Sequence, residues 1–167
     1  MNLTQLHSVY FIGIGGIGMS ALAKWFKHQG LSVAGYDRLS TPLTCALEVL
    51  GIEVHYEDNI SLLSKKYIEE SQTLVVYTPA IPSSSKLLKF FKSEKFQVKK
   101  RSEVLGMITQ DHFSIAIAGT HGKTTTSSIV AHMMYSSNKV CSAFVGGIMT
   151  NYDSNILIGD QESVVVV

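Results

Sequence analysis

In the run Gly119-Thr120-His121-Gly122-Lys123-Thr124-Thr125, a lysine and two adjacent threonines follow a pair of glycines. A glycine turn that opens a helix aims several backbone N–H groups and the positive end of the helix dipole at one point, and Lys123 adds a mobile full charge there. The guest that suits such a point is a polyphosphate. Thr124, directly after the lysine, falls where a hydroxyl meets the Mg²⁺ that accompanies ATP or GTP. Lys123 and Thr124 are therefore the candidate catalytic pair, with Thr124 the candidate metal ligand and Gly119, Thr120, His121, Gly122, Lys123, Thr124 and Thr125 the candidate set for binding ATP or GTP. The general P-loop pattern also wants a glycine at position 117, which is Ile117 here, so only the shorter form is present. His121 is expected to contribute its backbone N–H and a packed ring, not general-base chemistry.

A second glycine run, Gly13-Ile14-Gly15-Gly16-Ile17-Gly18, carries the spacing of a dinucleotide-type fingerprint. Gly13 allows the tight turn, Gly15 lets a pyrophosphate approach the backbone, and Gly18 lets the helix pack close to the strand. Asp37, 19 positions past Gly18, sits where an acid meets a ribose or base. The fingerprint leaves the nucleotide open, and NAD is the default guess for this unit taken alone.

The elements that must position these residues alternate between strand and helix. Ser8–Ile12 reads as a strand, Met19, Leu22, Ala23 and Phe26 as one helix face, and Leu31–Tyr36 as the next strand. Leu43, Ala46, Leu47 and Leu50 form a further helix face that stops at Gly51 before a strand at 52–55. A polar helix is expected over 60–69, a strand over 73–78, a loop at Pro79–Pro82, a helix over 86–95 and a short strand over 96–99. This rhythm predicts an α/β, Rossmann-like parallel sheet, with its ligand beyond the carboxyl ends of the strands where Gly15–Gly18, Asp37 and Thr78–Ile81 converge. A helix over 102–108 and a polar connector place the domain boundary near 106–112.

The second unit reads as a strand over 113–118, the glycine turn, and a helix with Ile129, Val130, Met133 and Met134 at helical spacing. A strand at Cys141–Val145, a turn at Gly146-Gly147, a loop over 150–155 and a buried strand at Val164–Val167 complete it. About forty residues after the turn offer too little sheet to bury a final Val-Val-Val-Val. The expected organisation is thus a Rossmann-like domain over 1–108 and the truncated start of a P-loop α/β ATPase domain over 109–167. Val164–Val167, left without a partner, is expected to be open to pairing with a neighbouring chain.

Composition excludes several classes. Hydrophobic residues at 46% and charged residues at 16% describe a globular chain with ample core. A formal net charge of +1 argues against a nucleic-acid surface. The basic stretch from Lys86 to Arg101 is interleaved with Leu87, Leu88, Phe90 and Phe91, which reads as an amphipathic helix. Cys45 and Cys141 lack neighbours at metal-ligand spacing and are too few for a disulfide framework. The apolar stretch Val9–Ala23 has no Lys or Arg before it and four glycines within it, and no run is long enough to span a bilayer. A cytoplasmic location without membrane contact is expected.

The segments FIGIGGIGMSALA, Gly35-Tyr36-Asp37, TPAIP, KKRSEVL and AGTHGKTTT, in that order, resemble the amino-terminal part of the Mur ligases, and the resemblance covers essentially the whole chain. It implies that the first domain binds the UDP of UDP-N-acetylmuramate and not NAD, with Gly15, Gly16, Ile17 and Gly18 on the diphosphate, Asp37 on the uridine side, and Thr78 and Ala80 bordering the same ligand. It implies ATP and Mg²⁺ on the Gly119–Thr125 loop and L-alanine as the amino acid joined, through an acyl phosphate, in peptidoglycan precursor synthesis. Where the family shows a Gly-His pair after its third strand, this chain reads His55-Tyr56-Glu57-Asp58-Asn59. The family's acidic metal-binding run and carboxy-terminal domain lie beyond Val167, so the 167 residues are expected to bind and not to catalyse on their own. Three rivals stand beside this reading: an NAD-binding Rossmann protein, which leaves Lys123 and Thr124 unexplained, a non-catalytic UDP-sugar sensor, and a sister ligase that adds a recycled murein peptide.

Overall fold

A computed structural model of the chain describes residues 6–68, 72–110, 112–139, 141–159 and 164–167. The chain divides into two units, Met1–Val104 and Leu105–Val167, each built on its own sheet.

In the first unit, β1 (Ser8–Ile12), β2 (Ser32–Tyr36), β3 (Glu53–His55), β4 (Thr73–Tyr77) and β5 (Gln97–Lys100) form one sheet in the order β3-β2-β1-β4-β5. Every pairing is parallel. All five residues of β1 are buried, as the central strand of a sheet covered on both faces must be. Strand alternation sends Phe11 to one face, where it meets Phe26 of α1 (Ile17–His28) at 6.3 Å between ring centroids. It sends Tyr10 and Ile12 to the other, into a cluster with Leu87, Leu88 and Phe91 of α3 (Lys86–Ser93). Between these, α2 (Pro42–Val49) starts on a reciprocal cap, with Thr44 N–H donating to Thr41 Oγ1 and Thr41 N–H to Thr44 Oγ1, and Pro42 in the first turn.

The helix expected over 60–69 is instead two single 3₁₀ turns, Ile60–Leu62 and Lys65–Tyr67. Asn59 and Ser64 each take an extended backbone and start a turn of their own, because short polar side chains favour caps over helix interiors. Leu63 and Tyr67 are thereby delivered to the core. Glu69 lies outside the described residues.

Helix α4 (Arg101–Gln110) leads into the second unit. There β6 (Ser114–Ile115), β7 (Cys141–Met149), β8 (Ser154–Leu157) and β9 (Val164–Val166) are ordered β6-β9-β7-β8, with α5 (Lys123–Ser136) between β6 and β7. The expectation of an unpaired final strand is overturned. β9 pairs in parallel with β6 on one side and β7 on the other, and Val165 and Val166 are buried, as an uninterrupted apolar run in a central parallel strand should be.

Two further expectations change. Gly146 and Gly147 do not turn the chain but continue β7, where the register with β8 shifts between Phe144 and Met149. The reversal comes at 150–153, with Asp153 at φ 47°. Of the apolar residues of α5, Val130 and Met134 join Ala131 in the core, while Ile129 and Met133 are exposed. Ser127 and Ala131 are the buried residues of that helix, small enough to let it sit close to the sheet.

Candidate functional site

The order of the first sheet reverses between β1 and β4, and a crevice at the carboxyl ends of such strands is where ligands of doubly wound sheets bind. The turn Gly13–Gly16 leaves β1 at that point and opens α1. Gly13 has φ +89°, a conformation costly for any residue with a Cβ. Its N–H and that of Ile14 both donate to Tyr36 O, at 2.8 and 3.0 Å.

Each expected strand end meets this turn. A methyl group built on Gly13 would lie 2.8 Å from Thr78 Cγ2, just past β4, and one on Gly15 would lie 2.9 Å from Asp37 Oδ2, just past β2. The Gly15 N–H donates to Asp37 Oδ2 at 2.7 Å, and the Leu39 N–H donates to Asp37 Oδ1 at 3.2 Å. Asp37 thus fixes the shape of the turn, and the Gly15 N–H is engaged with it. Thr78 is half-buried and Ala80 exposed in the turn after β4, where the Ile81 N–H donates to Thr78 O at 3.1 Å. Gly16 caps α1 without a side-chain acceptor, and no acidic residue stands in the first turn of that helix.

Sequence reasoning missed two residues here. A methyl group on Gly18 would fall 2.8 Å from Arg101 Nη1 and 3.0 Å from its Cδ, so Gly18 faces the side chain of Arg101 and not a strand. Gly35 is the glycine that admits β1, since a methyl there would lie 2.6 Å from Phe11 O and 2.9 Å from Ile14 Cβ. Gly35-Tyr36-Asp37 and KKRSEVL were visible as motif segments, but spacing alone does not tell which atom each segment approaches.

The His55–Asn59 stretch is built into the fold. His55 Nδ1 lies 2.9 Å from Glu57 O, an acceptor, so Nδ1 carries the proton and Nε2 accepts from the Tyr10 hydroxyl. Burial holds His55 below its ordinary pKa and pushes the Tyr10 hydroxyl above the usual tyrosine range. Asp58 accepts from the Lys86 and Leu87 N–H groups, each at 2.9 Å, and from Ser85 Oγ at 3.2 Å. A carboxylate supplied from 28 residues earlier therefore caps α3.

In the second unit, Gly119–Thr125 forms an exposed loop that enters α5. Gly122 caps that helix at φ +77°, again glycine territory. Lys123 Nζ donates back to Gly119 O at 2.6 Å and Thr120 O at 3.2 Å, so the lysine sits over the mouth of its own loop. Thr124 projects from the first turn of α5 against β7. Methyl groups on Gly146 and Gly147 would fall 3.2 Å from Thr124 Oγ1 and 3.0 Å from Thr124 Cγ2. A single hard hydroxyl oxygen at a helix amino terminus fits a Mg²⁺ that takes most of its ligands from phosphates and water. Among the described residues, no group of three His, Cys, Asp or Glu is placed to hold a metal, and no helix is long and apolar enough to cross a membrane.

A family model described as "Mur ligase family, catalytic domain" matches residues 8–113. The chain is 56% identical over 167 residues to a UDP-N-acetylmuramate--L-alanine ligase of Flavobacterium psychrophilum and 48% identical over 159 residues to one of Porphyromonas gingivalis. These alignments take in 100% and 95% of this chain but 37% and 35% of the relatives, so the chain spans little more than a third of their length. Among solved structures, the UDP-N-acetylmuramate-alanine ligase of Thermotoga maritima matches at TM-score 0.83 and 29% identity, over 95% of this chain and 36% of that one. The UDP-N-acetylmuramate:L-alanyl-gamma-D-glutamyl-meso-diaminopimelate ligase of Neisseria meningitides matches at TM-score 0.81 and 23% identity, over 96% of this chain and 52% of that one, a likeness of fold.

Proposed function

We propose, from the premise that this chain belongs to the Mur ligase family, that it acts in the ATP-dependent ligation of L-alanine to UDP-N-acetylmuramate in the cytoplasmic assembly of peptidoglycan precursors. The observation that carries this reading is the turn at the switch point of the first sheet, closed by Asp37 and bordered by Thr78. Identity of 56% to a relative named for that activity supports the choice of substrates.

In this reading the first unit holds the nucleotide end of the substrate. Gly16, Ile17 and Gly18 present backbone to the diphosphate at the start of α1, and Gly15 lets it approach while its own N–H is held by Asp37. Asp37 holds the turn in shape and borders the uridine side, and Thr78 and Ala80 wall the crevice. The second unit holds ATP on Gly119–Thr125. Lys123 leaves the carbonyls of Gly119 and Thr120 to meet the phosphates, exchanging two neutral acceptors for charged ones. Thr124 would hold Mg²⁺, which supplies charge neutralisation on the phosphoryl group being transferred.

The lactyl carboxylate of UDP-N-acetylmuramate attacks the γ-phosphorus of ATP, the bond to the β-phosphate oxygen breaks, and ADP leaves. The alanine amine then attacks the acyl phosphate, inorganic phosphate departs with the electron pair of the C–O bond, and the ammonium proton is lost to solvent. The contribution of this chain is to orient both phosphate-bearing ends and to place Lys123 where negative charge accumulates. Phosphate release by the full-length protein tests the reading. Release that requires UDP-N-acetylmuramate, ATP and L-alanine together supports it, and release indifferent to L-alanine contradicts it.

A further inference from the structure

Arg101 borders the candidate site at Gly18, as Asp37 borders it at Gly15. It is the first residue of α4, directly after β5, in the same unit and at the same carboxyl edge of the sheet as the glycine turn. Its side chain lies against Gly18, in the first turn of α1, with Nη1 and Cζ placed 2.8 and 3.2 Å from where a Gly18 methyl would stand. A cation beside a helix amino terminus is unfavourable in isolation, because the helix end is itself positive. Nothing described offsets it there. The first turn of α1 has no acid and no side-chain cap, Asp37 is turned to the Gly15 and Leu39 N–H groups, and Glu103, two positions along, accepts from the Lys100 N–H at 2.6 Å. Among the described residues the guanidinium has no ion-pair partner.

We infer that Arg101 is a binding residue for the diphosphate of the nucleotide substrate, its guanidinium and the positive amino-terminal end of α1 gripping the anion together. The inference rests on the nucleotide-site reading of this turn. A planar fork suits two phosphate oxygens at once, and glycine at position 18 lets it lie against the start of α1 without being pushed aside. The side chain that occupies this space is thus part of the ligand site and not simply its wall.

The test is a titration of the full-length protein and of its Arg101→Ala and Arg101→Lys variants with UDP and with uridine, each variant also melted to confirm that it folds. Expected is a loss of at least about tenfold in UDP affinity for Arg101→Ala, a smaller loss for Arg101→Lys, which keeps the charge but not the fork, and unchanged uridine binding in both. Wild-type affinity for UDP in a folded Arg101→Ala variant overturns the inference and leaves the site reading intact. Equal losses for UDP and uridine would assign Arg101 to the shape of the site and also overturn it. Failure of the wild-type protein to bind UDP would remove the reading on which the inference stands.

Discussion

The Asp37 carboxylate holds the Gly15 N–H at 2.7 Å, and this bond makes the acid at the end of β2 a clamp on the glycine turn after β1. The same carboxylate spans to the Leu39 N–H, so one side chain ties the turn after β1 to the loop after β2. Charged acceptors of this kind contribute about 1.5–3 kcal/mol each. Asp37→Ala should therefore lower both thermal stability and the affinity for UDP-N-acetylmuramate, the latter by about tenfold or more, while Asp37→Asn, which can still accept from one N–H, should lose less. Calorimetric titration beside thermal melts checks both.

Lys123 donates to Gly119 O and Thr120 O within its own loop. Lys123→Met should cut turnover by about a hundredfold or more, the scale of losing a charge aimed at a transferring phosphoryl group. Titration of the same variant with UDP-N-acetylmuramate should give the wild-type affinity.

Gly147 gives a subtler handle on the second unit. A methyl group there meets Thr124 Cγ2 at 3.0 Å, closer than ordinary contact, and β7 is braced by β8 and β9. Gly147→Ala should displace the Thr124 side chain, raising KM for ATP and the Mg²⁺ concentration needed for half-maximal activity, with KM for UDP-N-acetylmuramate unchanged. Steady-state kinetics with each substrate varied in turn reads this directly.

His55 predicts a pH dependence. Burial keeps its folded pKa below the ordinary value of 6.5, so just below that pH the unfolded chain binds more protons than the folded one. Its contribution to stability is complete above the unfolded pKa and is lost as the pH falls through the folded value. Melting temperatures of the wild-type protein should fall on acidification below about pH 6.5, and His55→Gln should remove that part of the slope. Identical slopes would show that His55 does not carry it.

Much of the first unit was legible in the sequence because its signals were local. The mostly apolar β1, the glycine spacing and the acid after β2 define one βαβ unit by themselves, and the regular alternation that follows dictates a parallel sheet. What escaped were contacts between segments far apart in the chain. Arg101 meets Gly18 across more than eighty positions, and Asp58 caps α3 from 28 residues away, with no periodicity to announce either. In the second unit, Gly146-Gly147 looked like a turn because glycine pairs usually mark one, yet here they serve close approach to Thr124. Val164–Val167 looked unpaired because about forty residues after the glycine turn offered too little sheet to cover it, yet β6 and β7 take β9 between them, a pairing that local pattern does not reveal.

The measurement that bears most directly on the whole account is calorimetric titration of the full-length protein with UDP-N-acetylmuramate, run beside NAD. The account predicts saturable heat with the UDP-sugar and none with NAD. Binding of NAD with no response to the UDP-sugar would contradict it, and the Asp37-clamped turn would then belong to a dinucleotide site.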